Sequence, residues 1–317
     1  MIPRQATSTL SRLAQGFPVL AITGPRQSGK TTLARALFGG KPYVSLENPQ
    51  EREFAQTDPR RFLARFTEGA ILDMLLLKGG YPALYDRTLA PNDWFPNYVA
   101  TYLERDVRQL LAVHDLGQFH RFVRMCAARS GQLLNLAALG ADCGISAVTA
   151  GKWLSVLETS YLAMRLPPYH RNFGKRLVKT PKLYFLDVGL MAWLLGLRDT
   201  ATLETHPARG AWFEAWVVSE LVKQRFNAGQ SAELFFWRNN VGHEVDVVLE
   251  TPQGLQAIEI KSGSTFAPDW PQAARKWAGF AGAEALAPMI VYGGAGRYAR
   301  QECEVAGWRE FALGMTA

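Results

Sequence analysis

Gly24-Pro-Arg-Gln-Ser-Gly-Lys-Thr31 meets the spacing G-x-x-x-x-G-K-[ST], a glycine loop whose backbone N–H groups turn inward around phosphate oxygens. Gly24 and Gly29 permit that turn, Lys30 neutralises the β and γ oxygens, and the Thr31 hydroxyl holds Mg²⁺ at a helix N-terminus that favours anions. Gln27, Ser28 and Thr32 complete the candidate nucleotide-binding set. Ahead of the loop, Phe17-Pro-Val-Leu-Ala-Ile22 has the apolar character of a buried strand, and Thr31 to Phe38 is compatible with a helix. Strand, loop and helix in that order are what an ATP–Mg²⁺ site requires.

Working outward, Tyr43 to Leu46 and Ala70 to Leu72 are further short strand candidates, separated by a charged, helix-compatible stretch from Pro49 to Phe66. The apolar run ending at Asp73 supplies one carboxylate that could hold Mg²⁺ through water. Capping of a helix or turn is an equally good reading of Asp73. The residue after it is Met74, so a second acid to orient attacking water is missing. Three strand candidates also make too small a parallel sheet to bury both faces of a phosphate-loop core. ATP is therefore expected to bind weakly or to be turned over negligibly. The unpaired strand edge is an association site, so either a second copy covers it, as a homo-oligomer, or the N-terminal module is left loose.

The chain has 317 residues, enough for two or three compact units. Its 48% hydrophobic and 20% charged content suits a soluble globular protein. The longest apolar candidate, Leu183 to Leu197, is interrupted by Asp187 and is shorter than the ~18 residues of a membrane span. No cleavable leader pattern precedes the glycine loop, and a cytoplasmic protein without membrane partners is expected. Cys126, Cys143 and Cys303 fit neither a disulfide framework nor a zinc spacing. A net charge of +7 favours polyanions such as DNA, although 25 arginines against 10 lysines could equally reflect base composition.

From Trp94 to about Gly196 the chain reads as helices, with helical apolar spacing in Tyr98 to Val107 and Phe119 to Ala128. Leu133 to Cys143, a turn at Gly144, and Ser146 to Glu158 read as helix-turn-helix with Ser146 as N-cap. Trp153, Leu154 and Leu157 would face the core, and Thr149, Lys152 and Ser155 the other side. One cation among those three argues against direct base reading. His170 to Lys179 forms a basic loop with an aromatic, for which DNA contact and packing stay open.

A second α/β unit starts after Gly210. It has a helix over Trp212 to Arg225, strands over Leu234 to Trp237, Val245 to Leu249 and Ala257 to Ile260, a helix over Pro271 to Phe280, and a strand over Met289 to Tyr292. In Glu244 to Glu250, period two puts Asp246 on the more polar face. In Ala257-Ile-Glu-Ile-Lys261 it puts Ile258 and Ile260 inward and Glu259 with Lys261 outward. The short connection through Pro252-Gln-Gly254 lets the two polar faces adjoin as a hairpin. Asp246 and Glu259 could then bind Mg²⁺ or Mn²⁺ while Lys261 acts on a phosphate as a catalytic group, with Glu214 of the preceding helix a fourth member. An exposed hairpin with ordinary ion pairs is the alternative.

GPRQSGKTT, LKGGYPAL, YLERDV, GQLLN, PPYHRN, KTPKLYFLDVGL and EVDVVLE, in that order, resemble the prokaryotic AAA-type P-loop ATP-binding family whose C-terminal half is a domain of unknown function. In that family roughly a hundred residues separate the equivalent of Asp73 from GGYP and carry the second acid, the sensor strand and the rest of the sheet; here they are absent. The resemblance implies an α/β chain in parts: an incomplete P-loop module (1–75), a helical connector (76–125), a winged-helix domain (126–205) and a restriction-endonuclease-like α/β domain (206–317). Glu214 followed by D-x(12)-E-x-K is similar to the PD-(D/E)xK nuclease pattern. The expected function is an ATP-binding protein coupled to a DNA-binding or nuclease-like domain. An ATP-independent metal-dependent nuclease and a non-enzymatic DNA or protein binding remnant are the alternatives.

Overall fold

The computed structural model describes residues 30–37, 72–86, 89–103, 115–169, 178–239, 242–300 and 302–313. The chain divides into two compact units, Met1–Gly69 with Tyr81–Leu89, and Ala70–Gly80 with Ala90–Ala317. In the first, helices Lys30–Leu37 and Pro82–Asp86 are described. The former starts at the lysine of the glycine loop, one residue before the expected start. The loop itself, the strand candidates at 17–22 and 43–46 and the stretch 49–66 lie outside the described residues, as do the side chains of Lys30, Thr31 and Thr32.

The second unit begins with a correction. The expected strand Ala70–Leu72 ending on Asp73 is replaced, from Leu72 onward, by helix α1, Leu72–Lys78, with Asp73 in its first turn. Leucine and methionine are strong helix formers, and Leu72 and Leu76, four apart, bury one face. A carboxylate in the first turn suits the helix dipole. Gly79, at φ +74°, ends the helix, its N–H bonding the Leu75 carbonyl at 2.8 Å.

Helix α2, Pro91–Tyr98, runs into a π-helical turn at Val99–Leu103; the rest of the expected helix to Val107 lies outside the described residues. Helix α3 is Leu116–Ala128, followed by strand β1, Gln132–Leu133, and helices α4, Leu136–Cys143, and α5, Ala147–Thr159. Each helix is N-capped by the side chain before it: Asp115 accepts from Gln118 N, Asn135 from Ala138 N, and Ser146 from Thr149 N, at 3.0–3.1 Å. Gly144 makes the left-handed turn between α4 and α5. The helix-turn-helix starts at Leu136 and not at Leu133, because Leu133 pairs with Lys182 in a sheet and Asn135 takes the cap. Trp153, Leu154 and Leu157 are buried, with Phe119 and Phe122 edge-on to Trp153, while Lys152 and Ser155 are exposed. Strands β2, Ala163–Leu166, and β3, Lys182–Phe185, complete an antiparallel sheet in the order β1-β3-β2.

Helix α6, Val188–Leu194, follows. The apolar run Leu183–Leu197 is thus a short strand, a cap and a seven-residue helix, and no described helix is long and apolar enough to cross a membrane. Asp187 caps α6 by accepting from Leu190 N and also accepts from Gly80 N, each at 2.7 Å. A Cβ on Gly79 would overlap the Asp187 carboxylate, and one on Gly189 would overlap the backbone of Lys78 and Gly79. Lys78-Gly79-Gly80 and Asp187-Val-Gly189 are thus two halves of one tight junction.

Helices α7, Thr200–Thr205, and α8, Arg209–Asn227, lead into strands β4, Leu234–Arg238, β5, Glu244–Thr251, and β6, Gly254–Lys261. Helix α9, Gln272–Ala281, strands β7, Met289–Tyr292, β8, Arg297–Arg300, and β9, Cys303–Gly307, and helix α10, Trp308–Ala312, end the unit. The mixed sheet runs β4-β5-β6-β7-β9-β8, with β6, β7 and β9 parallel and the other pairs antiparallel. Ala257, Ile258, Glu259 and Ile260 are all buried, so both faces of β6 are covered. The expectation that Glu259 points outward is corrected accordingly: it shares its face with Leu255 and Ala257, which pack with Ala274, Trp277 and Ala281 of α9. All three cysteines are buried free thiols.

Candidate functional site

The β5–β6 hairpin sets Val247 opposite Ile258, so Asp246 and Glu259 sit one step further along on neighbouring strands. Asp246 Oδ2 accepts from Ile260 N at 2.8 Å. Lys261 Nζ lies 3.0 Å from Glu259 Oε2 and 4.0 Å from Asp246 Oδ2. The three residues expected to converge therefore do so. The other carboxylate oxygen, Glu259 Oε1, is buried without a hydrogen-bond partner, and the residue is 2% exposed. An unsatisfied buried acceptor costs roughly 1–3 kcal/mol and calls for a ligand or a proton.

Glu214 of α8 joins this group, engaged by Tyr184 Oη and by Lys182 Nζ at 3.1 Å. Lys182 also bridges to Glu244 Oε1, whose second oxygen meets Arg238 Nη1 at 3.2 Å. The Lys182 side chain is 4% exposed, with its ammonium 5.5 Å from the Phe236 ring centre. Strand β3 holds it there: Ser130 Oγ accepts from Phe185 N at 3.0 Å, and Ser219 Oγ of α8 donates to Leu186 O at 2.6 Å.

Burial and the neighbouring Asp246 push the Glu259 carboxyl up to about 8, and the same two causes raise Glu214. Burial opposes the Lys182 charge, but Glu214, Glu244 and Asp246 outweigh it and push its pKa up to about 12. Lys261 is raised by Asp246 and Glu259 against its own burial. The site thus keeps both lysines charged while disfavouring the ionised forms of Glu259 and Glu214. Among the described residues no three His, Cys, Asp or Glu side chains gather to hold a metal ion; a divalent ion here would rest on two carboxylates. Mg²⁺ is commonly bound in that way, with water and substrate phosphate completing its shell.

Lys182, Tyr184 and Arg238 escaped the sequence reading, and Glu244 was not assigned a role. The available signal was Lys182 itself, a lysine in the apolar stretch Lys-Leu-Tyr-Phe, since lysine is buried only when paired. Asp73 stands elsewhere: its Oδ1 accepts from Arg209 Nε at 2.9 Å, and Arg209 Nη1 donates to Ser262 O at 2.7 Å. It is tied to the residue following Lys261. Of the nucleotide set, Gly24, Gln27, Ser28 and Gly29 lie outside the described residues.

Comparison with known families gives three consecutive matches. Residues 16–77 match an AAA domain, residues 69–201 a domain of unknown function (DUF8612), and residues 209–311 another domain of unknown function (DUF4143). Lys182 and Tyr184 fall in the second and the four clustered acids in the third, so two matched domains build one site. The chain is 28% identical to the uncharacterized proteins Rv2008c of Mycobacterium tuberculosis and Mb2031c of Mycobacterium bovis, over 333 residues that cover 83% of this chain and 74% of each relative. An alignment longer than the 317-residue chain, with only part of the chain taking part, means that the relatives carry residues with no counterpart here. No solved structure matches the chain.

Proposed function

We propose that this chain is an AAA-type ATP-binding protein with a shortened, non-hydrolysing core, and that its C-terminal unit is a divalent-metal-dependent phosphodiesterase centre of the nuclease type. The observation that carries the second part is the buried, unpartnered Glu259 Oε1 beside Asp246, with the Lys261 ammonium at hand. Asp246 and Glu259 would hold Mg²⁺ or Mn²⁺. When bound, such an ion supplies Lewis-acid polarisation of a phosphate oxygen. The Lys261 ammonium, half-buried at the rim, would donate to the charge that develops on the phosphate. Glu214, already bonded to Lys182 and Tyr184, is a positioning residue. DNA is the substrate class that the basic chain favours. The order α3, β1, α4, α5, β2, β3 supports a winged-helix reading of the middle part, a second surface for the same polymer.

For the N-terminal part, the AAA match ends at residue 77 while the next match begins at 69. The short match, with Met74 following Asp73, supports nucleotide binding without turnover.

The test is a Mn²⁺ titration and a plasmid-nicking assay on the full chain and two variants. Asp246→Ala should lose both metal and nicking, whereas Lys261→Ala should keep the metal and lose about 10²-fold or more in rate, because lysine is a donor and no ligand. If Asp246→Ala binds Mn²⁺ as tightly as the parent, the carboxylates are only ion-pair partners and the reading fails.

A further inference from the structure

Resting on that reading of Asp246 and Glu259, we infer that the buried Lys182 ammonium takes the place of a second metal ion, so that the site is built for a single divalent cation. Four acids meet in the cluster, and they divide into two pairs. Glu214 and Glu244 are spanned by Lys182, which touches an oxygen of each and lies 3.5 Å from the Tyr184 hydroxyl. All three N–H donors of the ammonium therefore have oxygen acceptors in reach. Asp246 accepts from Ile260 N, both acids meet the Lys261 ammonium from the rim, and Glu259 keeps one oxygen free.

Two-metal phosphodiesterase sites hold their ions about 3.5–4 Å apart by sharing acids between them. Here the acids that a second ion would require are occupied by a fixed cation that β3 delivers from the middle of the chain. Charge favours the same arrangement. A divalent ion held by Asp246 and Glu259 would meet two carboxylates, whereas a second ion would have to share Glu214 and Glu244 with the fixed Lys182 ammonium, adding positive charge to a site where an uncompensated charge is costly.

Lys182 is accordingly a positioning residue that sets metal stoichiometry, and calorimetric Mn²⁺ titration of the full chain reads that directly. The parent should bind one ion. Glu214→Gln, which keeps the size and most hydrogen bonds of the side chain, should still bind one, with affinity changed by less than about tenfold. Lys182→Met should bind two. A parent that takes two ions, a Glu214→Gln variant that loses its ion, or a folded Lys182→Met that still takes one would each overturn the assignment of Lys182 while leaving a metal site in place. A parent that binds none would instead overturn the metal reading, and this inference with it. Where Lys182→Met does not fold, the parent and Glu214→Gln decide.

Discussion

Raising the pH from 5 to 8 without metal should destabilise this protein, and Glu259 is the principal reason. Its carboxyl is pushed from an ordinary 4.5 up to about 8 by burial and by Asp246. Between those values the folded chain keeps a proton that the unfolded chain has released, so stability falls as pH rises through the window. One proton corresponds to about 1.4 kcal/mol per pH unit, hence roughly 4 kcal/mol across three units. For a unit of this size a loss of 1 kcal/mol lowers the melting temperature by roughly 2–4 °C, so a fall of about 10 °C is expected. Glu214 and Asp187 are raised by burial too and act with the same sign. The raised values of Lys182 and Lys261 matter only at more alkaline pH. Glu259→Gln removes the titrating group while keeping its shape and should flatten the slope by about one proton. The assay is calorimetric melting in EDTA at pH 5, 6, 7 and 8, repeated with Mn²⁺, which should restore the parent at pH 8. A Glu259→Gln slope equal to that of the parent would refute the reasoning.

Two further outcomes test other parts of the chain. Gly189→Ala should cost about 1–3 kcal/mol, because its Cβ would press on the Lys78 and Gly79 backbone, which cannot retreat as a flexible side chain could; an unchanged melting temperature would contradict the tight junction. Calorimetry should show ATP binding that Lys30→Ala abolishes, together with no hydrolysis above background; a Lys30-dependent turnover would show that the shortened core still works.

Much of the fold was legible because local signals and tertiary packing agree. Asn135, Ser146 and Gly144 mark helix ends by capping and by a left-handed turn, both set within four residues. Strand β7 stands at the expected Met289–Tyr292, a short apolar run. Asp73 misled because Ile71-Leu72-Asp73 fits a buried strand end as well as a helix start, and the deciding partner, Arg209, lies 136 residues away. Strand β8 escaped because its residues, Arg297-Tyr-Ala-Arg300, are all exposed and carry no apolar alternation; it exists by pairing with β9.

The site was legible to the extent that period two governs it, and no further. Alternation tells which side chains share a face, so Asp246, Glu259 and Lys261 come together as expected. It does not tell whether that face meets water. Only the packing around Leu255 and Ala257 shows that Glu259 is buried, and burial changes its chemistry from surface ion pairing to an acceptor that needs a ligand. Lys182 follows from the same fact. Acids on an exposed hairpin would be screened by solvent and would need no internal cation, whereas several acids brought into a covered site repel one another and require one. Strand β3, in a different matched domain, supplies it through Lys182, the one charged residue of that buried strand.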